Sequence, residues 1–485
     1  MGKYRNLAVN TLLFAANAVA TKIVTFILVP LYTAYLTAGE YGLTDMSLTV
    51  INLLTPLVTL DIAEATVRYI VKDKSREDFY VAVGLGVTFA SVVIVAALSP
   101  MLDFEAFGGL GEFKVWFVAA YAASAVMSVC GETARGRGEV RLIPICAAAS
   151  SVITLVFAVL LIAIADFGVV GYFASVILGP MVGSAIYLTI GGIGASAIKG
   201  AGEIIASGKR VTSELLGPML KYALPLIPNQ LFWWLSTGIN RLFITGMLGI
   251  SASGMFAAAS KVPNLLNVAY SVFQQAWQLS AYQESQQEGL EDFFSKIFSL
   301  VQAGMTSLCA LVSFLSPLIA TVLLQGETRG SWTMIAPLLL SNLFNVFSAF
   351  YGTVYSATMH TRSIMATTVL GALSCIVFTP ALLPLMGTYG ACVASALGQG
   401  LVFFSRAIHS RRYLKFRIGW LYLSPTLILL VLQAIAVAAQ PWLWQWISLV
   451  CLIGVFGIQG AKVHGELGAV GGLRGALKRI HRNGC

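Results

Sequence analysis

Apolar runs recur along this chain, each close to the roughly 20 residues that a helix needs to cross a bilayer. Short connections carrying charges, Gly or Pro separate them. The runs predict fourteen helices, over residues 7–35, 43–71, 79–101, 113–134, 142–165, 168–193, 220–247, 253–282, 293–324, 333–358, 364–386, 388–408, 419–439 and 442–461. The pattern is that of an all-α polytopic membrane protein. Ala16-Asn17-Ala18, behind Lys3 and Arg5, has the look of a cleavage site, but the apolar run continues to Leu36 and predicts a retained first helix.

The order of elements repeats within the chain. A shift of 212 residues lays LTAGEYGLTDMSLTVINLL (36–54) on LGISASGMFAAASKVPNLL (248–266), matching Gly42 to Gly254 and Asn52-Leu53-Leu54 to Asn264-Leu265-Leu266. A shift of 219 pairs GVVGYFASVILG (168–179) with GTYGACVASALG (387–398), so that Gly168 meets Gly387 and Gly171 meets Gly390. Two six-helix bundles in parallel repeat are expected, over 1–195 and 218–412, joined by a polar, Gly-rich cytoplasmic linker over 196–217. Two further helices over 413–463 and a basic tail over 464–485 complete the chain. Parallel repeats of this kind are a transporter architecture, with substrate held between the halves. A duplicated scaffold without transport is the plainer alternative.

Composition agrees with the pattern: 58% of the 485 residues are hydrophobic and 11% charged. The net charge of +9 resolves into topology. With the N-terminus inside, cytoplasmic loops and tails hold 24 of the 30 basic residues, and the outer loops only Lys114 and Arg329. The bias places both termini in the cytoplasm. The excess charge is therefore expected to meet anionic lipid headgroups, with no need of nucleic acid. The seven cysteines form no C-x-x-C and no Cys/His cluster, so neither a metal nor a disulfide is expected.

Charges inside predicted spans carry the functional signal, because an ionised side chain at membrane depth is costly unless it is paired or wetted. TLDIAEATVRYI (59–70) holds Asp61, Glu64 and Arg68 within about 60° of one another on a helix. The repeat maps them onto uncharged Phe273, Ala276 and Ser280. Two readings stand: functional charges facing a cavity, or a local Glu64–Arg68 pair near the cytoplasmic rim. The other intramembrane cations are Lys22, Arg241 and Lys261. None has a carboxylate within four residues along its helix, which predicts an anionic ligand such as a pyrophosphate.

Polar stripes outline where such a ligand would sit. In the eighth span Lys261, Asn264, Asn267, Ser271, Gln274, Gln275, Gln278 and Tyr282 fall within about 140° of the helical wheel. The seventh span adds Asn229, Ser236 and Asn240, with Trp233 beside them, and the first adds Asn10, Asn17, Thr21 and Thr25. Each lone Asn or Ser is accounted for by an interhelical hydrogen bond; eight polar residues on one face are not. Trp233, Trp234, Tyr270 and Trp277 offer flat faces for sugar rings, although aromatic side chains of a membrane helix more often face lipid.

LDIAEATVRYI resembles the end of the second helix of Wzx-type polysaccharide repeat-unit flippases, in the multidrug/oligosaccharidyl-lipid/polysaccharide (MOP) exporter superfamily. YALPLIPNQLFWWLSTGINRLFI is similar to their seventh helix, VFQQAWQLSAYQE to their eighth and VYSATMHTRS to the end of their tenth. Many relatives place Asp before the seventh-helix Arg, where this chain has Asn240, which argues against proton coupling at that position. The resemblance implies movement of an undecaprenyl-pyrophosphate-linked oligosaccharide, or a similar lipid-linked glycan, to the outer leaflet of a bacterial cytoplasmic membrane by alternating access. It also implies ion-gradient coupling, with Asp61 or Glu64 as the titrating group and without a cofactor, and glycosyltransferases and a polymerase of the same pathway as partners. The alternatives are a multidrug or metabolite exporter of the same superfamily and a membrane-embedded glycan polymerase or acyltransferase. The second lacks a reactive cluster or a sizeable outer loop, and His360, His409, His464 and His481 are scattered.

Overall fold

A computed structural model describes residues 24, 26–284, 289–357, 362–416 and 418–482. Among these, helices are the only regular secondary structure. Among the described residues ten helices are long and apolar enough to cross a membrane, and one bent pair passes the same test when its two helices are taken together. The chain is thus a multi-pass membrane protein. Of the three remaining expected spans, the first lies mostly outside the described residues. The seventh and eighth are interrupted helices, α9 (Ile227–Thr237) with α10 (Ile239–Leu248), and α11 (Ile250–Lys261) with α12 (Asn264–Glu284).

The elements form two compact units. The first comprises residues up to Lys261 with Val322–Gly330 and Cys375–Ala391. After the short helix α1 (Phe26–Tyr35), Thr37 caps α2 (Ala38–Val58) through a reciprocal box with Glu40, which supplies partners for two otherwise unmatched amides. Next come α3 (Ile62–Lys72), α4 (Glu77–Leu98), α5 (Lys114–Arg137), α6 (Leu142–Ala158), α7 (Gly168–Thr189) and α8 (Ile193–Ala223). Small residues set the packing, as expected where lipid competes for apolar contact. A Cβ on Gly42 would lie 2.3 Å from the Ile250 carbonyl oxygen, and one on Gly254 would lie 1.8 Å from that of Ala38. Hence α2 and α11 cross backbone to backbone. Gly179 brings α7 close to α6, where a Cβ would lie 2.6 Å from the Ser150 carbonyl oxygen, and Gly183 faces Met127 of α5 together with the Cys146 carbonyl of α6. The segment expected as a linker is helical: α8 runs through it and packs along α4.

The second unit holds Val262–Thr321, Ser331–Ser374 and Cys392–Cys485. It contains α12, most of α13 (Leu290–Leu323), α14 (Ile335–Ala357), the first half of α15 (Arg362–Met386), most of α16 (Thr388–His409), α17 (Trp420–Ala439) and α18 (Trp444–Arg482). Its core is aromatic, with Phe294, Phe298, Phe347, Phe350, Tyr351 and Phe403 buried together. Buried polar rungs join its helices. Gln433 donates to the Ala310 carbonyl (3.0 Å) and Ser448 Oγ (3.0 Å), Gln459 to Thr426 Oγ1 (2.8 Å), and Lys462 Nζ to Gln302 Oε1 (2.9 Å).

Candidate functional site

Three charged side chains meet inside the first unit. Asp45 on α2 is buried, and its two carboxylate oxygens accept separately, Oδ1 from Lys261 Nζ at 2.8 Å and Oδ2 from Arg241 Nε. The contact between Gly42 and Gly254 places them: Asp45 lies one turn beyond Gly42, and Lys261 two turns beyond Gly254 on the apposed helix. Arg241 comes from α10, which packs against α11. The expectation of unpaired cations is therefore corrected for Arg241 and Lys261: they share one carboxylate. The cluster keeps one net positive charge, and the arginine keeps donors beyond the Nε that Asp45 engages.

Farther along α2 lies a cavity of about 450 Å³. Its wall includes Asn52, Thr55, Thr59 and Asp61 from the bent pair, Thr88 from α4, and Gln230, Trp233 and Trp234 from α9. Trp234 is anchored by its Nε1 donating to the Thr49 carbonyl (2.9 Å), whereas Trp233 is 57% exposed and presents its ring. Asp61 sits at a 49° bend between α2 and α3. Both Leu60 (φ 55°) and Asp61 (φ 53°) are left-handed there, a conformation that costs an ordinary side chain about 1–2 kcal/mol.

The remaining predicted residues divide. Glu64 pairs across α3 and α5 with Arg135 (3.3 Å), which also holds Glu132 (2.6 Å). The partner of Glu64 is thus Arg135, not Arg68, and Arg68 is exposed. Asn240 is buried and accepts from Thr379 Oγ1 (2.6 Å), a packing bond within the unit. Asn229 is exposed on α9. In the second unit Asn264 is exposed at the start of α12 and Gln274 is half-buried. Trp277 is 3% exposed, stacked between Phe273 and Phe350 with Phe294 at its edge. Both of its ring faces are covered, so it belongs to the core and not to a sugar platform. Lys22 and Asn17 lie outside the described residues, as do the side chains of Gln275 and Gln278.

Comparison with solved structures defines the fold. The chain aligns with the lipid II flippase MurJ in an inward closed conformation, with a TM-score of 0.69 at 14% identity over 94% of this chain and 99% of that one. It aligns with an inward-facing multidrug-resistance MATE transporter at 0.66 and 14% identity, over 82% and 94% of the two chains. A MOP-superfamily transporter from Pyrococcus furiosus gives 0.56 at 16% identity, over 83% and 96%. The fold is that of the MOP superfamily. The chain belongs to the polysaccharide biosynthesis protein family, whose model matches residues 7–278. None of the curated proteins compared matches it in sequence.

Proposed function

We infer that the protein is a flippase for a lipid-linked oligosaccharide, carrying an anionic headgroup such as undecaprenyl-pyrophosphate glycan from the cytoplasmic to the outer leaflet while the lipid tail stays in the bilayer. The carrying observation is the Asp45–Arg241–Lys261 cluster. A lone carboxylate held by two cations is an internal stand-in for a pyrophosphate, which brings more negative charge and more acceptor oxygens and competes with Asp45 for the same donors. Binding would loosen the ties of α2 to α10 and α11, a local change able to bias alternating access. The family supports a glycan pathway, with its glycosyltransferases and polymerase as partners. The cysteine-free, charge-biased loops fit a bacterial cytoplasmic membrane with both termini inside. Coupling to an ion gradient supplies the driving force. A drug exporter of the same fold fits less well, since a net positive cluster repels cationic drugs.

The test is movement of undecaprenyl-pyrophosphate oligosaccharide in proteoliposomes. Arg241→Ala and Lys261→Ala should each stop it, and Lys261→Arg should keep more activity than Arg241→Lys, which loses the guanidinium fork. Wild-type rates in both Ala variants would overturn the reading.

A further inference from the structure

The cavity of the first unit is walled by acceptors and carries no positive charge. Asp61 is the one ionisable side chain among the described residues that line it. Asn52, Thr55 and Thr59 recur at i, i+3 and i+7, one face of α2. Thr55 Oγ1 gives its hydrogen to the Ile51 carbonyl (2.8 Å) and Thr59 Oγ1 to that of Thr55 (2.6 Å), as Thr88 Oγ1 on α4 does to that of Gly84 (2.8 Å). Each hydroxyl therefore offers a ligand lone pairs only. Thr55 and Thr59 stand one helical turn apart, about 5.4 Å, so separate atoms of a ligand must meet them. From α9, which packs on α2, come Gln230 and Trp233 at i and i+3. The Asn52 and Gln230 amides accept and donate, and no hydrogen bond holds either among the described residues. Trp233 supplies an open aromatic ring to the same wall.

We propose that this cavity is a subsite for one uncharged sugar ring of the glycan, read by Asn52, Gln230 and the threonine hydroxyls with Trp233 as its platform, and that it rejects acidic sugars. The proposal rests on the flippase reading and divides the headgroup: the pyrophosphate goes to the Asp45–Arg241–Lys261 cluster, a sugar to the cavity. A neutral pyranose brings several O–H donors spaced around a ring, which is what a wall of separated lone pairs lacks, and its C–H face lies flat on an aromatic ring. The volume of about 450 Å³ falls within the roughly 300–1,000 Å³ of small-molecule sites. The seven residues from Asp45 to Asn52 span about 10 Å of α2, a distance that a diphosphate and the adjoining sugar cover together. A uronic or other acidic sugar would set its carboxylate in a cavity that holds Asp61 and no described cation, where like charges repel with little screening.

The experiment is ligand-observed saturation-transfer NMR on the full-length protein in nanodiscs, with free glucose, galactose and N-acetylglucosamine as probes, glucuronate and galacturonate as their acidic counterparts, and empty nanodiscs as the blank. Saturable binding of at least one neutral sugar is expected, with the matching uronate at least about tenfold weaker. Trp233→Ala should weaken the neutral sugar by at least about fivefold and Trp233→Phe, which keeps a ring, by less. Gln230→Ala should weaken it by at least about threefold. Both side chains are at least partly exposed, so the variants keep the packing of the unit. The proposal is overturned by a wild-type protein that binds none of the neutral sugars, by glucose and glucuronate binding alike, or by Trp233→Ala and Gln230→Ala both binding as wild type does. Sugar binding without movement of lipid-linked oligosaccharide would strike the flippase reading and leave the subsite; movement without sugar binding would strike the subsite alone.

Discussion

Asp45 shows what a single residue contributes when its partners are distant in sequence. It sits inside a predicted span, yet a search for carboxylates within one helical turn of Arg241 and Lys261 misses it, because the partners are 196 and 216 residues away. The available signal was an acidic residue in an apolar run opposite two orphan cations. Removing it strands two positive charges, which in a buried pair costs about 3–5 kcal/mol. Asp45→Asn should therefore lower the apparent Tm of the purified protein sharply. Asp45→Asn combined with Lys261→Met should be less damaging than the sum of the two single changes, with a coupling of about 1–3 kcal/mol. Additive losses would mean that the three groups do not act as a unit.

At the scale of elements, close helix crossings rest on glycine and follow the internal repeat. Gly42 and Gly254 are equivalent by the 212-residue shift, and in the structure they face each other across α2 and α11. Gly168 (φ 49°) and Gly387 (φ 57°), paired by the 219-residue shift, both stand in the left-handed region where α7 and α16 begin. Gly171 and Gly390 each crowd a carbonyl of the preceding apolar segment, that of Leu161 and that of Leu382. The repeat is thus echoed in conformation as well as in letters. Gly254→Ala places a methyl group against the Ala38 carbonyl and should cost about 1–3 kcal/mol or more, as overpacking does. Gly304→Ala, in the open on α13, should be neutral or stabilising by up to about 1 kcal/mol. Yield of folded protein and apparent Tm, compared between the two variants, check this; equal values would remove the packing argument.

For the whole molecule, the distribution of basic residues predicts an orientation of the helices in the membrane. Single cysteines replacing Lys74 and Arg412, both exposed, should react with a membrane-impermeant maleimide only from the cytoplasmic side, in a background lacking the native cysteines. One replacing Glu105, exposed in the α4–α5 connection, should react only from outside. Labelling of Lys74 and Glu105 positions from the same side would overturn the topology.

The sequence alone determined the class of fold and the family resemblance, because a bilayer forces every span to satisfy its own backbone, so that length, hydropathy and loop charge are written locally along the chain. It also located Arg241, Lys261 and Asp61 as residues out of place in lipid. What only the tertiary structure decided was pairing and exposure. Arg241 and Lys261 meet Asp45, Glu64 meets Arg135 instead of Arg68, and Trp277 disappears between Phe273 and Phe350. A helical wheel gives the direction of a side chain from its own axis, but not which distant helix lies in that direction. The bend at Asp61, whose Oδ2 has no hydrogen-bond partner among the described residues, was likewise beyond periodicity, since it comes from two left-handed residues in an otherwise continuous apolar run.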